Sequence, residues 1–136
     1  MRKLIITDPA REDLLEIEIY TLHTYGDLAA VAYSNLIQQA FEDIREDPNR
    51  LLSKARPEID GNIRSYHTSS AKRRSAPPVK KPRHFVLYFE ANEDAVVISR
   101  VLHDERDIER HIPDDHIERS KAKHPSKRKP TRTRER

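Results

Sequence analysis

His103, Arg64 and Arg100 are the residues of this 136-residue chain whose types best suit chemistry on a phosphodiester. A histidine titrates near neutral pH and can pass a proton in either direction, while a guanidinium can hold a phosphate through two parallel N–H donors. Together such groups could activate a 2′-hydroxyl, steady a pentavalent phosphate and protonate the leaving oxygen. Each also has a structural reading. A histidine closing a strand can bond to backbone at the start of the next element, and Arg64 or Arg100 can pair with a carboxylate from the first helix or from Asp104 to Asp107. The same arginines would equally suit an acidic segment of a partner protein.

Other chemistries are poorly served. The chain has seven histidines, but no pair has the i, i+4 helical spacing with an adjacent acid that zinc hydrolases use, so neither a metal site nor a cofactor is expected. No Gly-x-Ser-x-Gly elbow occurs. With no cysteine, disulfides, thiolate metal sites and a cysteine nucleophile are excluded, which fits a cytoplasmic protein. Lys72, Arg73, Arg74, Lys80 and Lys81 form the basic cluster of the chain's body, either a solvated loop or a surface for nucleic acid or an acidic partner.

The elements that must position these residues centre on Arg83 to His103. His84, Val86 and Tyr88 share one face of a strand and Phe85, Leu87 and Phe89 the other, so the strand carries bulk on both sides and belongs inside a sheet. Asn92-Glu93-Asp94 is turn chemistry, and Ala95 to His103 is the β-branched second arm of a hairpin. Lys3 to Thr7 predicts a first strand. Asp8 then caps a helix that Pro9 opens and Gly26 closes, with Ala10, Leu14, Ile17 and Thr21 as its core stripe, widened by Leu15 and Ile19. A second helix runs from Leu28 to Asp47, capped by Asp27, burying Ala32, Tyr33, Leu36, Ile37, Ala40, Phe41 and Ile44 before Pro48 stops it.

Residues 50–60 predict an irregular stretch anchored by Leu51, Leu52 and Ile59, followed by a turn at Gly61-Asn62 and a strand over Ile63 to His67. Residues 68–82, with three prolines and five basic residues, predict a mobile loop, and Asp104 to Ile112 a short amphipathic helix ended by Pro113. The fold class is therefore α+β: β-α-α-β-β-β, a two-helix hairpin packed on a small, mostly antiparallel sheet.

Charge divides the chain. Residues 1–115 hold 17 basic against 21 acidic side chains, a balance of −4, whereas residues 116–136 hold 9 against 2, or +7. One domain over 1–115 and a disordered basic tail over 116–136 follow, the tail having too little apolar surface to repay its ordering. Such a tail can make weak, sequence-independent contact with nucleic acid, or simply solubilise the chain. No apolar run approaches the roughly 20 residues of a membrane span, and the N-terminus is too polar for a signal peptide.

Ala10, Asp13-Leu14, Ile17 and Tyr20, then Tyr25-Gly26, Ala32-Tyr33, Leu36, Phe41 and Pro48, then Gly61, Ile63-Arg64, His84 to Tyr88, and Ile98-Ser-Arg-Val-Leu-His103 with Arg106-Asp107 form an ordered set. In that order they resemble the ParE/RelE superfamily of toxins from type II toxin–antitoxin systems, closest to the ParE, or plasmid-stabilisation, branch. The resemblance spans residues 3–112. It implies a growth-arresting toxin neutralised by a cognate antitoxin that wraps the helices and sheet edge, as a homodimer or toxin–antitoxin hetero-oligomer. ParE members are associated with DNA gyrase inhibition, with no catalytic residue of their own; RelE relatives cleave messenger RNA on the ribosome. For target or antitoxin contact it nominates Arg64, His84, Tyr88, Arg100, His103, Arg106 and Asp107; for the nuclease alternative, Arg64, Arg100 and His103. A third reading is a non-toxic module that only binds an antitoxin. No tyrosine follows Tyr88, and Asp104 follows His103, a departure from the late tyrosine or histidine of RelE-type sites.

Overall fold

The computed structural model describes residues 2–104. The chain runs β1 (Lys3–Ile6), α1 (Asp8–Tyr25), α2 (Asp27–Glu46), β2 (Lys54–Ala55), β3 (Arg64–His67), a 3-10 helix (Thr68–Arg74), β4 (His84–Asn92) and β5 (Ala95–His103). The architecture is α+β, with the two α-helices on one face of a five-stranded sheet ordered β1-β5-β4-β3-β2. β1 lies parallel to β5 and all other neighbours are antiparallel. No helix among the described residues is long and apolar enough to cross a membrane.

The β4–β5 hairpin is central, and its two faces serve two clusters. Val86, Tyr88, Val96, Ile98 and Val101 pack with α2, while Leu87 and Leu102 pack with Ile59 and Ile63 on the opposite side. From α2, Leu36, Ala40, Phe41 and Ile44 are completely buried, each large side chain contributing roughly 1.5–3 kcal/mol.

α1 buries less than its apolar content suggests. Ala10 and Thr21 are buried and Leu14 and Ile17 pack partly against the core, but Leu15 and Ile19, expected to widen the stripe, are exposed. The helix meets α2 on one flank and β5 beneath, so one narrow stripe is covered. Leu22 on α1 and Leu28 and Val31 on α2 are exposed as well.

The helix caps differ from expectation by one residue. Thr7, not Asp8, caps α1: its Oγ1 accepts from the Ala10 N–H at 3.1 Å and donates to the Ser99 carbonyl at 2.9 Å. Asp8 is already inside the first turn, where its charge faces the positive end of the helix dipole. Gly26 rather than Asp27 occupies the α2 cap position, without a side-chain bond, at a positive φ of 94° that favours glycine; its N–H closes α1 on the Leu22 carbonyl.

The stretch 68–82 is not the mobile loop its composition predicts. Thr68 and Ala71 of the 3-10 helix are buried and Val79 packs against the main core. The reason lies on α2. Asp43 is buried at 2% exposure, accepts from the Tyr66 hydroxyl at 2.6 Å and Gln39 at 3.0 Å, and is paired with the Arg74 guanidinium. A buried carboxylate needs such compensation, so the 3-10 helix is fastened by the counter-ion that it carries. Two smaller expectations also fail. Leu51 and Leu52 are exposed rather than anchoring, leaving Ile59 as the buried residue of that stretch, and the two-residue β2 pairs with β3. All but the first residue of the helix expected over 104–112, its stop at Pro113 and the tail lie outside the described residues, as do Arg106 and Asp107.

Candidate functional site

A β-bulge sets the first contact. Leu87 pairs with Arg100 but Tyr88 with Ile98, so Ser99 has no opposite residue and the register shifts. Bulges re-aim side chains. Here the Arg100 guanidinium meets Asp13 of α1 through Nε to Oδ2 at 2.7 Å and Nη2 to Oδ1 at 2.8 Å, and the Val101 N–H donates to the same carboxylate at 2.9 Å. Both side chains are about nine-tenths buried. Thr7 bonds to the bulge carbonyl of Ser99, so the start of α1 and its second turn are both fixed to β5.

Four residues beyond Ser99, β5 ends in a polar cluster. His103 pairs in register with His84, their ring centroids 5.4 Å apart and nearly perpendicular. His84 Nδ1 and the Tyr33 hydroxyl share a hydrogen bond of 2.7 Å, and that hydroxyl also accepts from the Arg83 N–H at 2.8 Å. Burial raises the Tyr33 pKa above the usual phenol value, partly offset by the Arg83 backbone bond. Asp104 draws the rest together, with His67 Nε2 at 3.0 Å and Arg83 Nη2 at 3.2 Å.

Tyr33, Arg83, His84 and His103 of this cluster line a groove of about 760 Å³ between α1, the start of α2, residues 78–81 and the ends of β4 and β5. Tyr20, Tyr25 and Tyr33 line it from the helices, Lys80, Lys81 and Arg83 from the opposite wall, with Asp13 and Glu16 as its carboxylates. The volume falls in the range of small-molecule sites. Among the described residues no group of three or more histidines and acids could hold a metal ion.

The nominated residues are thus divided. His84 and His103 meet at the groove. Tyr88 is fully buried, its hydroxyl donating to the Pro48 carbonyl at 2.6 Å, and burial raises its pKa; a side chain so enclosed has no surface for a partner, which corrects its nomination as a contact. Arg64 donates to Ser53 Oγ from Nε at 3.2 Å and Nη2 at 2.7 Å. In register it lies opposite Tyr88, four residues along β4 from the His84–His103 pair and two strands from β5. With about 3.3 Å per residue and 4.8 Å per strand, the Cα atoms of Arg64 and His103 are roughly 16 Å apart. Arg100 is held on Asp13, the helix-one carboxylate that the structural reading offered. No local spacing points to the groove residues Tyr33 and Arg83, or to Asp104 beside them; only the tertiary pairing does.

A helical hairpin laid on one face of a five-stranded sheet, with a tyrosine-and-cation groove along its flank, defines the chain as a small two-layer α+β domain. A solved structure, the chromosomal ParDE TA system from P. aeruginosa, has this fold: it matches with a TM-score of 0.55 at 17% identity, over 77% of this chain and 98% of that one. The curated proteins give no match. The family model for the ParE toxin of type II toxin–antitoxin systems, parDE, matches residues 4–108, and the chain belongs to that family.

Proposed function

We infer that this ParE-family toxin inhibits DNA gyrase by binding it and is neutralised by a cognate antitoxin. Its family membership supports the class of action. The observation that carries the choice of target is the dispersal of Arg64, Arg100 and His103. Arg64 is tied to Ser53, Arg100 to Asp13, and the Arg64 and His103 backbones are roughly 16 Å apart. Acid–base groups act within about 3 Å of the protons they move. A protein-directed toxin needs no such convergence.

The antitoxin reading rests on the outer faces of the hairpin. Leu15, Ile19 and Leu22 recur at helical spacing on α1 and are exposed, with Leu28 and Val31 exposed on α2. Glu12, Glu16 and Glu18 stand among them. An amphipathic segment with leucines and arginines complements such a surface.

Purified gyrase tests the target: stoichiometric full-length toxin should abolish supercoiling or trap the cleaved complex, and unchanged supercoiling would refute the reading. One observation favours the alternative of ribosome-dependent messenger-RNA cleavage, the two imidazoles of His84 and His103 beside the Tyr33 hydroxyl at the groove. That alternative requires new RNA 5′ ends on translating ribosomes, lost in His103→Ala.

A further inference from the structure

We propose that the groove between α1 and residues 78–81 binds a short stretch of single-stranded nucleic acid, with bases against Tyr20 and Tyr25 and phosphates along Lys80 and Lys81. This goes beyond the choice of target, since it holds whether the toxin acts on gyrase or elsewhere.

The two walls differ in chemistry. On the helix wall, Tyr20 and Tyr25 are 57% and 68% exposed, with ring centroids 6.3 Å apart and nearly perpendicular. Such exposure loses the apolar gain of burying a ring, yet both rings line the cavity. On the opposite wall, Lys80 and Lys81 follow one another in an exposed stretch. Neither ammonium is paired with a carboxylate among the described residues. Aromatic faces on one side and cations on the other is the arrangement that stacks bases while tracking a backbone, without reading sequence.

Glu16 opposes an anion here, but Asp13, the other carboxylate of the groove, is neutralised by Arg100. The segment carrying the lysines is held in place. Arg74 pairs with buried Asp43, Val79 packs on the core and Lys72 Nζ donates to the Lys80 carbonyl at 3.1 Å. The cation wall therefore stands ready before a ligand arrives, which reduces the ordering cost of binding. The groove's 760 Å³ limits the occupant to a few nucleotides. An acidic peptide would use the same lysines but leave the exposed rings without a planar partner.

Fluorescence anisotropy with labelled oligo-dT and oligo-rU of equal length tests this on the full chain, whose basic tail also attracts phosphate. The tail's share is measured with inorganic polyphosphate, which has charge but no bases. Tyr20→Ala/Tyr25→Ala should weaken both oligonucleotides by roughly 5- to 150-fold per stacked base and leave polyphosphate affinity unchanged. Tyr20→Phe/Tyr25→Phe should restore binding, because stacking needs the ring and not the hydroxyl. Lys80→Gln/Lys81→Gln should flatten the slope of log affinity against log salt by about 1.4, or 0.7 per phosphate. Comparing oligo-dT with oligo-rU separates DNA from RNA through the 2′-hydroxyl. Unchanged oligonucleotide affinity in Tyr20→Ala/Tyr25→Ala would overturn the proposal and assign binding to cations elsewhere. An oligoglutamate probe that loses affinity in that variant as much as the oligonucleotides do would overturn it in favour of a protein partner. Both tyrosines are exposed, so an unaltered melting curve separates either result from misfolding. Gyrase is absent from every arm, so failure here and failure of the target reading are distinguishable.

Discussion

Replacing Asp13 by alanine removes the carboxylate that receives two bonds from Arg100 and one from the Val101 N–H. The pair is about 10% exposed, so neither surface screening nor easy solvation softens the loss. Breaking a buried pair from one side costs about 3–5 kcal/mol, against a total stability of about 5–15 kcal/mol for a domain of this kind. With a shift of roughly 4–8 °C per kcal/mol, the melting temperature should fall by at least about 12 °C. The double variant Asp13→Leu/Arg100→Met removes both charges and should return to within about 2 kcal/mol of the parent, because a buried pair and an apolar pair of similar volume are close in energy. Urea unfolding of the full chain, followed by circular dichroism for the parent, each single variant and the double, gives the cycle. A loss under about 1 kcal/mol in Asp13→Ala, the value of a surface pair, would refute the reasoning, as would a double variant no more stable than the single one.

Arg74→Ala should release the 3-10 helix from Asp43, making the bonds after Lys72, Arg73 and Lys80 early trypsin sites, which limited proteolysis with mass mapping reads directly. Phe41→Ala, at a position with no exposure, should cost about 3–5 kcal/mol in denaturant unfolding. Burial, and then the bond to Asp43, push the Tyr66 phenol up to about 12, so the fold holds it neutral. Since an unfolded tyrosine titrates near 10, this contribution to stability is fully present below about pH 10 and is lost as pH rises toward about 12. Unfolding midpoints between pH 8 and 11, with absorbance of the phenolate, check that sign. Leu15→Glu/Ile19→Glu, on the exposed face of α1, should abolish co-elution with the antitoxin while moving the melting temperature little.

Legibility in the sequence followed the range of the interaction. The hairpin of β4 and β5 was readable because alternation, β-branching and turn residues all sit within twenty neighbours, and the helices because Pro9, Gly26 and Pro48 punctuate them. Periodicity also named the buried face of α2. It could not name Asp43 as buried, since an aspartate on a helix reads as solvated until its partner Arg74, 31 residues on, is brought to it. For the same reason residues 68–82 read as loop: prolines and lysines describe local propensity, not a distant counter-ion. At the site, Arg100 and a helix-one carboxylate were foreseeable as a pair in type, though 87 residues separate Asp13 from Arg100. The link between Tyr33 and His84, 51 residues apart, left no local trace. Leu51 and Leu52 are apolar in type, but in a stretch without periodicity type alone does not fix burial, and both are exposed.

The parallel pairing of β1 with β5 has a consequence for synthesis. Thr7 bonds to Ser99 across 92 residues, so the first strand can find its neighbour only after the last has been made. At about 5–20 residues per second, the ribosome separates those events by roughly 5–20 s. Through that interval the nascent chain holds a helical hairpin whose sheet is unfinished, and any product cut short before β5 lacks both the bulge that receives α1 and the wall that carries His103. Completion of the fold is thereby tied to completion of the message: fragments of this chain that stop short of β5 are released without the central strand on which the sheet depends.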